Sequence, residues 1–332
     1  MNDGLEKLFN DLTKLKVAVI GDVMLDTYWW GEVERISPEA PVPVVAVSKK
    51  ELRVGGAGNV ALNAQHLGAE VSLITVVGAD DDGVELKKLI QQKNIDTSFI
   101  LESKKRITTN KIRIISRNQH MMRLDAEQTN DLDENDAERL IDTIKKYVDT
   151  KKPDVIILED YNKGILTAHT IKEIISYCNE KEIIVTVDPK RKNFFEYKNV
   201  TLFKPNLHEV FTSLNIIPGE IAENQLHKIH AKLHERLNHT VSLITLSEKG
   251  VFYKKEDDGK LIPSHLRNIA DVSGAGDTVI AVASLVYAAN RDMHLAASIA
   301  NIAGGIVCEE VGTVAIDSTK LFTECKRVLS SR

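Results

Sequence analysis

ENDAERLIDTIKKYVDTKKPDVIIL, residues 134–158, carries two periodicities in one short stretch. Ala137, Leu140, Ile141, Ile144 and Val148 recur at three- and four-residue steps, the spacing of one face of a helix. Val155 to Leu158 is instead a continuous apolar run, short, β-branched and bounded by polar and turn residues. Such a run suits a strand buried on both faces of a parallel sheet.

The same alternation extends in both directions. Val17 to Ile20, Val71 to Val77, Ile183 to Val187 and Leu243 to Leu246 are further buried-strand runs, and Ile171, Ile174, Ile175 and Cys178 give another helical face. Alternating strands and helices predict an α/β fold, a doubly wound and mostly parallel sheet flanked by helices, with ligands at the carboxyl ends of the strands. Two stretches break the rhythm. Ala40 to Val47 (APVPVVAV) holds prolines that suit an edge strand, and 106–124 (RITTNKIRIISRNQHMMRL) alternates apolar and polar residues. Together they predict a small β lid over one end of the main sheet. No Gly/Ser/Pro linker, internal repeat or low-complexity segment divides the chain, so one domain is expected over 1–332.

Composition narrows the class. A 332-residue chain with 43% hydrophobic and 27% charged residues can bury a large core and is not of the disordered type. A net charge of −5 excludes a general attraction for nucleic acid or an anionic membrane, so any anion must be held by a local site. The amino-terminal segment mixes charges every few residues, and no later run approaches the length of a membrane span; a cytoplasmic protein is expected. Cys178, Cys308 and Cys325 are far apart and odd in number, and read as small buried hydrophobes.

The segment with the most chemistry is DVSGAGDTVIAVASLV, 271–286. A Gly-Ala-Gly turn running into a helix would turn the free N–H groups of 274–277 outward, where they stabilise negative charge such as that on a phosphoryl group in transfer. Asp277 would then stand beside that anion site, although a first-turn acid favoured by the helix dipole explains it equally well. GDVMLD supplies two acids, Asp22 and Asp26, after the first strand, positions from which a carboxylate can accept from sugar hydroxyls. Lys204-Pro-Asn-Leu-His-Glu209 places Asn206 and Glu209 three residues apart, on one face of a starting helix or as its cap.

DVSGAGD and GGAGNVALNAQHLGAEV (55–71) resemble the carboxyl- and amino-terminal signatures of the PfkB/ribokinase-type carbohydrate kinases, in the expected order. The resemblance implies a ribokinase-like fold and phosphoryl transfer from ATP to a sugar. Asp277 would be the catalytic base, Gly274, Ala275 and Gly276 the anion hole, and Gly55, Gly56, Asn59 and Asp26 the sugar contacts, with Asp22 a further candidate. It assigns Asn206 and Glu209 to ATP and, through water, to Mg²⁺. Lys204, Ser247, Gly250 and Asn301 fall to the nucleotide, with Glu248 departing from the glycine usual in that turn. A monovalent cation is left open.

A narrower likeness, to the D-glycero-D-manno-heptose 7-phosphate kinases of that family, rests on YWWGEVERISPEAPVPVV (28–45), SRNQHMMRLD (116–125), LEDYNKG (158–164), DPK (188–190) and GIVCEEVGT (305–313). It implies phosphorylation of the anomeric hydroxyl of the sugar phosphate in ADP-heptose synthesis. Lys163, Arg117 and Lys190 become the candidate partners of the substrate phosphate, because a buried dianion needs cations. Gln119-His120 departs from the two glutamines common in such kinases. The nucleotidyltransferase domain that follows in many relatives is not expected here. Exposed lid edges admit a homodimer. The competing readings are a kinase for another sugar, such as fructose or ribose, or for a nucleoside, and a catalytically silent sugar- or nucleotide-binding regulator.

Overall fold

A computed structural model describes residues 2–117, 119–217, 219, 222–265 and 268–329. In chain order its elements are α1 (Asn2–Leu12), β1 (Lys16–Gly21), β2 (Val23–Ile36), β3 (Pro43–Gly56), α2 (Ala57–His66), β4 (Glu70–Gly78), α3 (Asp81–Gln91), β5 (Ile100–Ser103), β6 (Asn110–Ser116), β7 (Gln119–Ala126) and α4 (Glu134–Lys151). There follow β8 (Val155–Glu159), α5 (Ala168–Glu180), β9 (Ile184–Asp188), β10 (Leu202–Phe203), α6 (Leu207–Leu214), α7 (Glu223–Leu237), β11 (Val241–Thr245), β12 (Val251–Lys255), β13 (Asp258–Ile262), α8 (Ala275–Asn290), α9 (Met293–Val307) and α10 (Ser318–Leu329).

The main sheet has the order β13-β12-β11-β10-β9-β8-β1-β4-β5 and is parallel except at β11-β12-β13. Successive residues of its strands enter opposite cores. Val17, Val19, Val155 and Ile157 pack with α1, α2, α8, α9 and α10, whereas Ala18, Ile20, Ile156 and Leu158 pack with α4, α5, α6 and α7. Burial on both faces is why these strands read as continuous apolar runs. The helical faces predicted at 137–148 and 171–178 are buried in α4 and α5. All three cysteines are free and buried.

A second sheet, in the order β3-β2-β6-β7, stands over the carboxyl ends of the first. Its strands differ from the expected stretches. Pairing in β3 begins at Pro43, after a turn in which Ser37 donates its N–H to Val42, and runs on to Gly56. The 106–124 stretch divides at Arg117, whose φ of 49° turns the chain; Asn118 lies outside the described residues. The longest surprise is β2: GDVMLD is not a loop after the first strand but the start of a 14-residue strand. Its first six residues are all buried, which removes the alternation by which a strand is recognised.

Candidate active site

Gly56 and Gly274 begin the two helices that meet at the carboxyl end of β8. Each has a positive φ, 58° and 78°, a conformation that favours glycine, and each is the residue before the first turn. At Gly274 a side chain would also collide with the Asn59 amide. Close approach of α2 and α8 is thus written into two glycines. Asn63, one turn along α2, accepts from the Thr278 hydroxyl (3.0 Å) and from the Ile316 N–H (3.0 Å), locking the pair.

This junction holds Asp277. Its Oδ2 accepts from Asn59 Nδ2 at 2.7 Å and its Oδ1 from the Tyr161 hydroxyl at 2.8 Å. It is 4% exposed, and burial pushes its carboxyl up to about 6 against the opposing effect of both hydrogen bonds. A carboxylate so held, at the amino end of α8, is ionised at neutral pH and basic enough to accept a proton. Gly274, Ala275 and Gly276 precede it in the order the sequence expected, with Gly274 the cap and Ala275 the first helical residue.

Beside it lie the ends of β8 and β9. Glu159 and Asp188 are register partners, and one carboxylate oxygen of each and one of Asp277 lie within 4.8 Å of one another. Lys190 bridges Asp188 Oδ1 (3.2 Å) and Glu209 Oε1 (2.9 Å), while Lys204 pairs with Asp188 Oδ2 at 2.8 Å. Burial works against the Lys190 ammonium, yet Asp188 and Glu209 raise its pKa above the ordinary lysine value. Asn206 and Glu209 form a reciprocal cap of α6, Glu209 N–H to Asn206 Oδ1 and Asn206 N–H to Glu209 Oε2, both 2.8 Å. The capping alternative is therefore real. It leaves lone pairs on both side chains, oxygen ligands of the kind that suit a hard divalent cation.

Asp26 opens the second half of the cleft. It is buried in β2 and pairs with Arg113 Nη1 at 2.6 Å, and Gly55 has no side chain because the Asp26 carboxylate fills that space. Lys111, the register partner of Asp26, shares Glu127 with Lys163: 3.2 Å from one lysine, 2.8 Å from the other. Arg106 donates to the backbone carbonyl of Lys163, and lines with Lys163, Thr108 and Asp22 a small recess.

Four expected contacts stand elsewhere. Asp22 accepts the N–H groups of Tyr161 (2.8 Å), Lys163 (2.9 Å) and Ile165 (3.2 Å), so its carboxylate shapes the 161–165 loop instead of facing a sugar. Burial raises its pKa, and those three bonds oppose the rise. Lys190 belongs to the Asp188–Glu209 group and not with Lys163. Lys204 is 2% exposed and spent on Asp188, too enclosed to meet a nucleotide directly. Arg117 is exposed at the β6–β7 turn, six residues beyond Lys111, roughly 20 Å along an extended strand. Of the nucleotide candidates, Ser247 is exposed at a tight turn and Gly250, φ 98°, lies against the Ile262 carbonyl. Asn301 Nδ2 donates to Pro263 O at 2.9 Å, tying α9 to the chain after β13.

Tyr161, Glu159 and Asp188 are the site residues not singled out from the sequence. The rule that flagged Asp22, a polar residue at a strand's carboxyl end, applied equally to Glu159 and Asp188.

The match to known proteins follows this geometry. The model of the pfkB family carbohydrate kinases matches residues 14–320. A "Bifunctional protein HldE" of Geobacter sulfurreducens is 36% identical over 318 residues, covering 96% of this chain and 64% of the relative. Another of that name, from Aliarcobacter butzleri, is 39% identical over 311 residues, covering 93% and 64%. The chain thus spans about 64% of the length of these curated relatives. Among solved structures, phosphofructokinase-2 from Escherichia coli in complex with potassium superposes with a TM-score of 0.78 at 17% identity, covering 94% of this chain and all of that one. Arabidopsis thaliana ribokinase complexed with ribose and ATP gives 0.70 at 15% identity, covering 93% and 99%. At such identities the likeness is one of fold.

Proposed function

The chain belongs to the pfkB family of carbohydrate kinases, and we propose that it transfers the γ-phosphoryl group of ATP to the anomeric hydroxyl of D-glycero-D-manno-heptose 7-phosphate. The observation that carries the chemistry is Asp277, buried at the amino end of α8 and held on both oxygens by Asn59 and Tyr161. In this reading Asp277 takes the proton of the sugar hydroxyl as its oxygen bonds to the γ-phosphorus and the bond to the β-phosphate oxygen breaks, leaving ADP and the 1,7-bisphosphate. The N–H groups of 274–277 meet the charge of the group in transfer. Asn206 and Glu209 would hold the Mg²⁺ that accompanies ATP, which would supply positive charge against the phosphate oxygens. Lys190, between Asp188 and Glu209, presents a cation on the same side.

The sugar assignment rests on the heptose-kinase resemblance of the 28–45, 116–125 and 158–164 segments and agrees with the similarity to the HldE proteins. Lys163 and Lys111 support it. Both are more than four-fifths buried, beyond Asp26, and share one carboxylate that a substrate phosphate can replace. The place of this step in ADP-heptose synthesis, within the cytoplasm, is part of the proposal. No helix among the described residues is long and apolar enough to cross a membrane. The lid sheet leaves β7 exposed along its whole length, Met122 and Leu124 included, and we assign it to pairing of two copies; a monomeric mass by light scattering at micromolar concentration would contradict that. ADP release measured on a panel of sugar phosphates and free sugars, with and without potassium, tests the assignment. Turnover restricted to heptose 7-phosphate supports it, and absence of turnover on every sugar favours a silent binding protein.

A further inference from the structure

Arg53, near the root of β3, reaches out of the lid sheet into the body of the chain. Its Nη1 donates to two backbone carbonyls at once, Val311 O at 3.2 Å and Thr313 O at 3.1 Å. Two carbonyl dipoles that converge on one point repel each other unless a positive donor stands between them, and hydrogen bonds from a charged donor are the stronger kind. The rest of the guanidinium is fixed in advance. Nε donates to Glu51 Oε1 at 2.7 Å, and Cζ lies 4.8 Å from the centroid of the buried Tyr28 ring. The 311–313 segment is shaped to receive it: Gly312, φ 75°, has no room for a side chain, whose first carbon would lie 2.7 Å from Arg53 Nη1 and 3.2 Å from the Tyr28 hydroxyl.

The same segment holds the turn before α8. Gly312 donates its N–H to Asp271 Oδ2 at 2.9 Å, and Asp271 Oδ1 accepts from the Ser273 N–H (2.9 Å) and hydroxyl (2.8 Å). The Thr313 methyl stands against Gly274, 3.1 Å from where a side chain would begin. On the lid side, Arg53 is the register partner of Asp26. A chain of contacts thus runs from the sugar side of the cleft, through one guanidinium, to the residues that precede Asp277. We propose that Arg53 is a positioning residue: it latches the root of the lid to the 311–313 segment and so sets the amino end of α8 against the bound sugar. Its effect on rate rests on the kinase reading, whereas the latch itself does not. Arg53 acts through 311–313 and Asp271 and not on the reacting atoms, and a displacement of about 1 Å at such a remove can cost about 100-fold in rate.

The test compares wild type with Arg53→Ala by hydrogen-exchange mass spectrometry of the nucleotide-free, sugar-free protein and by kinetics on the best substrate of the sugar panel. The Gly312, Ser273 and Ala275 amides, each hydrogen-bonded within this turn, should exchange about fivefold or more faster in the variant. Turnover should fall about ten- to a hundredfold while the KM for ATP stays within about threefold, the split expected when bound groups are misplaced and not lost. Millimolar ethylguanidinium, but not ethylammonium, should recover part of both, which a general loss of stability would not allow. Arg53→Lys keeps a cation but not the fork; it should show the same changes at smaller size, and gives the reading should Arg53→Ala not fold. The proposal is overturned if exchange at these amides matches wild type in both variants, or if ethylguanidinium and ethylammonium act alike. The exchange measurement needs neither ATP nor a sugar, so a wild-type chain that turns over no sugar would strike the kinase reading and leave the latch standing.

Discussion

Replacing Asp277 by Asn changes one charge at the centre of the site and little else. The Asn carbonyl can still accept from Asn59, and its amide can donate to the Tyr161 hydroxyl, which accepts as well as it donates. Loss of a general base costs about 100- to 10,000-fold in turnover. Stability should move the other way. Burial raises the Asp277 carboxyl from 3.8 to about 6, so the ionised form is disfavoured by about 3 kcal/mol in the folded chain. A raised carboxyl contributes stability that is present below 3.8 and lost as pH climbs through about 6. Asn resembles the protonated form and escapes that loss. Relative to wild type, the variant should therefore gain about 2–3 kcal/mol between pH 4 and pH 8. Urea unfolding of both proteins at the two pH values reads the difference directly, alongside turnover at pH 8. A stability difference that does not change with pH, or turnover above a tenth of wild type, refutes the reasoning.

Three further outcomes follow from neighbouring contacts. Tyr161→Phe removes a hydrogen bond that favours the ionised base, worth about one pH unit, so the acid limb of the kcat/KM profile, expected near pH 6, should move upward by about that much; an unmoved limb would separate Tyr161 from the base. Glu209→Gln retains the cap of α6 but loses the negative charge, and the Mg²⁺ concentration for half-maximal rate should rise about tenfold, whereas an unchanged titration would leave Glu209 as a helix cap and partner of Lys190. Lys163→Ala should raise the KM for heptose 7-phosphate about ten- to a hundredfold, since a charge-assisted contact to phosphate is worth about 1.5–3 kcal/mol, with little effect on ATP; an equal penalty for unphosphorylated sugars would place Lys163 away from the phosphate.

What was legible in the sequence depended on local pattern. Strands buried on both faces and helices with a three/four spacing announce themselves within 15 residues, so the main sheet and helices α4 and α5 could be read directly. β2 could not, because its buried first half has neither alternation nor turn signals to mark it. The Asp277 region stood out through its two glycine turns. Its partner Tyr161 did not, being 116 residues away and joined only by folding. Charges were the hardest to place. Lys163, Lys190 and Lys204 are alike in sequence, but one faces Glu127, one bridges to Glu209 and one is sealed against Asp188. Their roles follow from which carboxylate each meets, and no spacing encodes that.

The central claim is that the acceptor is a sugar already bearing a terminal phosphate and that its anomeric oxygen is the one phosphorylated. The most direct measurement is phosphorus NMR of the product formed from ATP and D-glycero-D-manno-heptose 7-phosphate, with kcat/KM compared against fructose and ribose. The account predicts a new anomeric phosphate signal beside the retained 7-phosphate, and a kcat/KM for the heptose phosphate at least about a hundredfold above the free sugars, the equivalent of about 2.7 kcal/mol of phosphate recognition. A higher kcat/KM on fructose or ribose, or phosphate arriving at any other oxygen, would contradict it.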